Sequence, residues 1–174
     1  MTSGFYRVGH RIRLHLDATH AQATGVAIAE VAGLVQARHG TDDEPAPTDP
    51  VLARLFPDGY RDDPAAATEL RGLTQGSLRE EKLSHAGTVL DSLPLEGGLV
   101  ELDADGARAW LLALNDARLA LGTRLELTGE TDVLDELDDA VLKDPTSTRV
   151  WELTVYHFLT ILQGTLIDCL DTAE

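Results

Sequence analysis

The sequence predicts a mostly α-helical fold, a helical bundle that carries a small two-stranded β-ribbon formed by residues about 5–16 and 99–102. Long segments place apolar side chains at the 3.6-residue period of a helix, whereas only these two short segments have the character of strands. A chain of 174 residues that is 43% hydrophobic is long enough to bury one core. We therefore expect residues 1–174 to form a single helical domain.

The N-terminal segment has the pattern of a strand with one solvated face. Between residues 5 and 16, apolar Ile12, Leu14 and Leu16 alternate with arginine and histidine. Gly9 interrupts this alternation and predicts a bend or a bulge. Residues 99–102 form the other strand candidate. Because a strand needs a partner, we expect the two segments to pair as an antiparallel ribbon.

Capping residues mark the helices of the first half of the chain. Asp17 is the expected N-cap of an alanine-rich helix that runs to about Arg38. Residues 41–49 form an acidic, proline-containing linker, which is too polar to bury itself and is predicted to be mobile. Short helices are expected at Pro50 and Pro64, since proline favours the first turn of a helix.

The second half of the chain has similar signals. Ser77 and Glu80 have the spacing of a capping box, which predicts a helix over about 78–93. Asp103 is the expected N-cap of the next, central helix. This central helix is predicted to end near residue 125. Two further helices are predicted, over about 132–143 and 148–171.

The central helix is apolar on two sides. Its main stripe consists of Trp110, Leu114, Ala117 and Leu121, and two more leucines fall nearly opposite. A helix with this pattern lies inside a domain rather than on its surface. We expect its main stripe to pack against that of the last helix. The predicted shared core comprises Trp110, Leu114, Leu121, Trp151, Val155, Phe158 and Leu162.

Polar side chains among these leucines form a candidate partner or anion site, which comprises Asn115, Asp116, Arg118 and Arg124. Arg118 projects close to the main apolar stripe, and Asn115 lies beside it. A buried arginine must be paired, because its desolvation is costly. Two interpretations stay open. Arg118 either bridges a carboxylate and loop carbonyls to fix helix packing, or it binds an anion or a partner at a cleft.

The formal net charge of −16 narrows the classes of partner. Nucleic-acid binding relies on basic groups that neutralise phosphates, so we expect no strong direct nucleic-acid binding. An anionic membrane surface is disfavoured for the same reason, whereas a basic patch on a protein is favoured. Direct DNA binding would have to use Arg7, Arg11 and Arg13 and is kept as an alternative.

The sequence offers little redox, metal or catalytic chemistry. Cys169 is its single cysteine and thus the redox candidate, although it lies on an apolar helix stripe that is typical of an inert thiol. The six histidines have no metal-ligand spacing, and no nucleophile motif occurs. We therefore predict no catalytic residue, no metal and no cofactor. Without a signal peptide or an uninterrupted apolar run of ~18 residues, we expect a cytoplasmic protein with no membrane partner.

Three blocks of the sequence carry a family resemblance. The first comprises Asp49-Pro50, Arg54-Leu55-Phe56-Pro57, Tyr60, Asp63, Glu69, Arg71 and Thr74. The second comprises Trp110-Leu111, Ala113-Leu114-Asn115-Asp116, Arg118-Leu119 and Leu121-Gly122-Thr123-Arg124-Leu125. The third comprises Tyr156, Leu159, Leu162-Gln163 and Leu166. Together they resemble an actinobacterial family of domains of unknown function that is linked with oxidative-stress transcriptional regulation. The resemblance implies a regulator rather than an enzyme and assigns no catalytic role.

We therefore hypothesise a non-enzymatic regulatory protein that acts through protein–protein contacts in a transcription-associated stress response. The candidate partners are a sigma factor and RNA polymerase, because an acidic surface suits a protein partner better than DNA. A switch between two cysteines at helical spacing is excluded, since this sequence has only Cys169. The alternative is a small enzyme or small-molecule sensor with a site near Asn115 and Arg118. A homodimer through the last helix, where Gly164 permits close approach, is a further hypothesis.

Overall fold

The structure is a computed structural model that describes residues 4–38, 47–59 and 62–171. It is mostly helical, as the sequence predicts, with a small antiparallel sheet in the part of the chain that is described. In chain order the elements are β1 (Tyr6–Val8), β2 (Arg11–Leu16), α1 (Ala18–Ala37), α2 (Pro50–Leu55), α3 (Pro64–Ser92), β3 (Gly98–Leu102), α4 (Ala104–Arg124), α5 (Val133–Lys143) and α6 (Thr148–Asp171). Residues 41–46 of the expected linker lie outside the described residues, and Asp49 caps α2.

The sheet has one strand more than the predicted two-stranded ribbon. Its order is β1-β2-β3, and both pairings are antiparallel. Gly9 has a φ of +60°, a conformation that glycine adopts readily, and it reverses the chain between Val8 and Arg11. The segment over residues 5–16 is therefore a hairpin rather than one bent strand. The predicted pairing of its second half with residues 99–102 is confirmed, with Leu14 opposite Val100.

The predicted helix start at Ser77 is wrong, because α3 runs without a break through that position. The hydroxyl of Ser77 donates to the carbonyl oxygen of Thr74 at 3.0 Å instead of capping a new helix. A capping box stabilises only a turn whose N–H groups lack carbonyl partners. Here the preceding turn supplies those carbonyls, and the true N-cap is Asp63, which accepts from two backbone N–H groups.

The core surrounds α4. The Trp110 side chain is completely buried, its indole N–H donates to Ser92 Oγ at 2.9 Å, and Phe5 meets its ring edge-on. Leu114 is 0% exposed and belongs to the same cluster. A smaller second cluster joins the end of α4 to α5 and α6 through Leu125, Ala140 and Leu153. The predicted packing of the central helix into the core is confirmed.

Trp151 is the exception among the predicted core residues, since it is 41% exposed. It shares a helix face with Val155, which is buried one turn later. At the beginning of α6, however, the buried side chain is Leu153, which faces the second cluster and lies on nearly the opposite side of the helix. Helical periodicity predicts which residues share a face of the helix. It does not predict how far along the helix neighbouring elements cover that face.

The flank of α6 around Gly164 is open. A Cβ added at Gly164 would meet no atom of another described element within 4 Å, so no described helix packs closely against this position. By length and composition α6 could also cross a membrane, with a mean hydropathy of 1.3, but the core helix of a globular protein passes the same test. Its buried residues, which include Leu159, Leu162 and Leu166, pack into the core around α4.

We predict that Leu114→Ala lowers the free energy of unfolding by about 2–5 kcal/mol, because it opens a cavity in a fully buried site. The matched control is Leu112→Ala on the exposed side of the same helix, where Leu112 is 37% exposed. Urea denaturation should show a loss of less than about 1 kcal/mol for this control. Equal losses for the two variants would contradict the assignment of the buried face.

The open flank of α6 leads to a prediction about self-association. If a second copy covers this flank, light scattering at high micromolar concentration gives twice the 18.8 kDa mass of the chain. Gly164→Leu should then weaken the dimer, because the new side chain holds the two backbones apart. The space beside Gly164 is open, so the same substitution should leave the folded monomer intact. A wild-type mass near 18.8 kDa would rule the dimer out.

Candidate functional site

The four residues of the predicted site do not form one site. Successive residues of a helix are 100° apart, so neighbours in the sequence point to different elements. Asn115 and Arg118 face α6, where each has a contact with Gln163. Asp116 is buried against α3. Arg124 lies in the last turn of α4 and contacts carboxylates on α1 and α6.

Arg118 is half-buried and contacts three side chains of α6. Its Nε donates to Thr160 Oγ1 at 2.9 Å, its Nη1 donates to Gln163 Oε1, and its Nη2 lies 3.4 Å from the Tyr156 hydroxyl. The guanidinium also lies over the Tyr156 ring, 5.3 Å from the ring centre. The carboxylate or carbonyl partners that the sequence predicts are absent among the described residues, and every partner of Arg118 is a neutral side chain.

Hydrogen bonding fixes the orientation of these partners. The Thr160 hydroxyl donates its own proton to the Tyr156 carbonyl at 2.8 Å, so towards Arg118 it only accepts. Gln163 accepts from Arg118 through Oε1, and its Nε2 points to Asn115 Oδ1 at 3.5 Å. With that oxygen turned to Gln163, the Asn115 amide N–H groups are left for another acceptor. The cluster therefore retains N–H donors that no described acceptor uses.

Apolar side chains continue this surface along α4. Leu111 and Leu119 are half-buried, and Leu112 is exposed. A concavity of about 490 Å³ is lined by Ala104, Asp105, Arg108, Leu111, Leu112 and Leu170. We call the combined surface the α4–α6 face, and it consists of these six residues together with Asn115, Arg118, Leu119, Tyr156, Thr160 and Gln163. It is the exposed side of the central helix.

Asp116 forms a buried ion pair with Lys82 of α3. Lys82 Nζ lies 2.7 Å from Asp116 Oδ1, and both side chains are largely buried. Burial raises the pKa of Asp116 above its usual range, while the neighbouring Lys82 and, more weakly, His85 act in the opposite direction. The pair also lines a small apolar cavity next to α1. Asp116 thus joins α3 to α4 inside the protein and does not belong to the α4–α6 face.

Arg124 has a structural environment as well. Its Nη2 lies 2.9 Å from a carboxylate oxygen of Glu30 and 3.7 Å from one of Glu152. The side chain therefore connects the last turn of α4 to α1 and to the beginning of α6. Since these groups are partly exposed, the pairs contribute little stability individually, but they neutralise Arg124. Of the four predicted site residues, only Asn115 and Arg118 are brought together.

The most buried arginine of the described residues is one that the sequence analysis missed. Arg38 is 6% exposed, donates to Gln75 Oε1 at 2.8 Å, and lies over the Phe56 ring. It lies three residues after Val35, within the i, i+3, i+4 period of the buried stripe of α1, so extending that stripe past the helix end would have found it.

The remaining candidates are tied into the fold. Arg7 donates twice to the carbonyl oxygen of Cys169, at 2.6 and 3.0 Å. Arg11 and Arg13 both form ion pairs with Glu101. Cys169 is buried, and this burial raises the pKa of its thiol, which disfavours the reactive thiolate. Within residues 4–38, 47–59 and 62–171, no group of His, Cys, Asp and Glu side chains is arranged to hold a metal ion.

Fold and site together define an acidic, mostly helical protein with a small antiparallel sheet and a half-buried arginine, Arg118, whose described partners are all neutral side chains. The chain belongs to the family described as a domain of unknown function, DUF2017, whose family model matches residues 2–170. The resemblance carried by the three sequence blocks is thereby confirmed.

Similar proteins are named as regulators. The oxidative stress regulator AosR of Mycobacterium tuberculosis strain H37Rv is 42% identical over 94 residues, which cover 47% of this chain and 43% of that protein. The putative oxidative stress regulator AosR of Mycobacterium leprae is 36% identical over 134 residues, which cover 70% of this chain and 58% of the relative. The chain spans about half the length of the curated relatives it matches. No solved structure matches it.

The buried ion pair leads to a prediction about pH. Lys82→Met leaves Asp116 without its counter-charge and should lower the free energy of unfolding by about 3–5 kcal/mol near neutral pH. Because burial raises the folded-state pKa of Asp116 above that of the unfolded chain, the folded state takes up this proton first as the pH falls. Protonated Asp116 needs no counter-charge. The deficit should therefore shrink on acidification from about pH 7 to about pH 5.

Urea denaturation across this pH range measures the deficit. The control is the double variant Lys82→Met with Asp116→Asn, in which no carboxyl group remains at this position to titrate. The loss of unfolding free energy of this double variant relative to wild type should not decrease on acidification as that of Lys82→Met does. A deficit of Lys82→Met that stays constant or grows on acidification would refute a buried, charge-paired Asp116.

Proposed function

We propose that this chain is a non-enzymatic regulatory protein that acts through protein–protein contacts in a transcription-associated response to oxidative stress. The observation that carries this proposal is the name of its relatives, which are called oxidative stress regulators and are 36–42% identical to the chain over the aligned residues. Because the chain spans about half of those proteins, their activity as a whole is extended to it only as part of this proposal. A cytoplasmic location belongs to the same proposal.

The α4–α6 face supports a mechanism through protein contacts. It combines partly exposed leucines with partly exposed hydrogen-bond donors, as do surfaces that bind proteins through an apolar centre and polar groups. The acidic body of the molecule disfavours direct contact with DNA phosphates. The candidate partners are a sigma factor and RNA polymerase, since a regulator that does not contact DNA must reach transcription through the proteins that carry it out.

The second candidate function is a small enzyme or small-molecule sensor with its site near Asn115 and Arg118. The observation that favours it is the donor set of Arg118, Asn115 and Tyr156, which suits a small anion. On this proposal the ligand, rather than a partner protein, would occupy the site.

Binding of purified proteins tests the first candidate. The immobilised chain is titrated with purified actinobacterial RNA polymerase core enzyme and with each purified sigma factor, before and after peroxide treatment. We expect saturable binding of at least one of them, while an unrelated acidic protein at the same concentrations does not bind. If neither the polymerase nor any sigma factor binds under either condition, the proposed partner class is wrong.

Direct DNA binding should be weak and strongly dependent on salt. Arg11 and Arg13 are paired with Glu101, and Arg7 points to α6, so no free basic face remains on the N-terminal hairpin. We expect fluorescence anisotropy at physiological salt to show no sequence-specific binding with a Kd below about 1 μM, a value that specific DNA-binding proteins easily surpass. Sub-micromolar, sequence-specific binding by the purified protein alone would overturn the proposal of a protein-mediated mechanism.

A further inference from the structure

Arg118 is held only by neutral side chains in the part of the chain that the structure describes. Among the described residues it has no carboxylate within ion-pair distance, although it is half-buried. Arg7 and Arg79 are also half-buried and without a carboxylate among the described residues, but their partners are backbone carbonyl oxygens, which belong to the fold itself. The cations that do have a carboxylate within 4 Å are Arg11, Arg13, Lys82, Arg124 and Arg149. A cation that is partly removed from water gains most from an anion placed against it. In a chain with 30 acidic residues, the lack of one beside Arg118 leaves room for an external carboxylate.

The neighbours of Arg118 prepare this position for an acceptor. The guanidinium has five N–H groups, and Thr160, Gln163 and Tyr156 account for three of them. Because the Tyr156 hydroxyl accepts from Arg118, its own proton is left for another acceptor. The Asn115 amide also has N–H groups to donate, since its oxygen faces Gln163. Guanidinium, hydroxyl and amide donors around one point match the lone pairs of a carboxylate.

Resting on the proposed function, we propose that Arg118, Asn115 and Tyr156 bind the carboxylate of an aspartate or glutamate side chain from the partner protein. The partner segment lies across the α4–α6 face and places apolar side chains on Leu111, Leu112 and Leu119. The occupant is thus a segment that combines one carboxylate with apolar side chains, since the face combines the Arg118 guanidinium with leucines.

The extent of the face favours a protein segment over a small metabolite as the source of the carboxylate. Arg108 and Arg118 are ten residues apart on α4, which is about 15 Å along the helix axis. The concavity lined by Leu112 and Leu170 lies towards the Arg108 end of this distance. A segment of two or three helical turns spans such a length, and a small carboxylic acid does not.

Asn115→Asp is the decisive variant. It keeps the shape of the side chain and an acceptor for Gln163, but it places a carboxylate one turn from Arg118, where it occupies the site from within the chain. The matched control is Thr154→Asp, which adds the same charge at an exposed position of α6. Thr154 is nine residues from Gln163 and therefore on the opposite side of that helix. Both variants should remain folded, with urea midpoints close to that of the wild-type chain.

The first readout is binding of the sigma factor or RNA polymerase that the wild-type chain captures. We expect Asn115→Asp to weaken it at least about tenfold, the loss of one charge-assisted contact, and Thr154→Asp to change it less than about twofold. Equal effects of the two variants would overturn the proposal while leaving the proposed function intact. Absence of any wild-type binding would instead remove the proposed function.

The second readout needs no partner. Acetate is titrated into the wild-type chain at constant ionic strength, with chloride as the balancing anion, and the NMR signal of the Arg118 side-chain N–H is followed. We expect a saturable shift in the wild-type protein and none in Asn115→Asp. No shift in the wild-type protein would overturn the carboxylate site. A third outcome is an acetate-induced shift in the wild-type protein combined with a partner affinity that Asn115→Asp does not change. This outcome would identify a free carboxylic acid as the ligand and overturn the docking of a partner at this site.

Discussion

The removal of α4 from water is the constraint on which the rest of the structure depends. Trp110, Leu114 and Leu121 are almost completely buried, and each such side chain stabilises the fold by about 1.5–3 kcal/mol when it leaves water. No single neighbour can cover so wide an apolar surface. Helices α1, α2, α3 and α6 and the strands β2 and β3 all contact α4. What remains of α4 is one narrow exposed side, and any recognition by this helix has to take place there.

The same constraint sorts the charged residues of α4 into two kinds. Asp116 points inward and has Lys82 as its counter-ion, and Arg124 is neutralised by carboxylates of neighbouring helices. These groups fix the positions of helices, and their charge is satisfied within the chain. Arg118 points along the exposed side and is held by neutral side chains that orient it without neutralising it. In this chain, Arg118 is thus a cation whose position is fixed by hydrogen bonds but whose charge has no carboxylate partner among the described residues.

Periodicity and capping predicted most of the fold because they act locally. Asp17 and Asp103 are N-caps as expected, and α6 has its predicted bounds. The errors arose where the surroundings of a local pattern decide its outcome. Trp151 lies on the correct face but beyond the elements that cover it, and Ser77 has a capping signature inside a helix that already satisfies its backbone. The spacing of Asn115 and Arg118 predicted that they lie on the same side of α4. Their neutral partners on α6 could not be predicted, because they depend on how the two helices pack together.

The two tryptophans of the protein differ in environment to an unusual degree. The indole of Trp110 is sealed inside the core and donates to Ser92, whereas that of Trp151 stands partly in solvent at the beginning of α6. Their fluorescence should therefore separate, with a blue emission that aqueous quenchers do not reach and a redder one that they do. The molecule thus contains an internal reporter of core integrity at one position and a local probe at the surface of α6 at the other, without any added label.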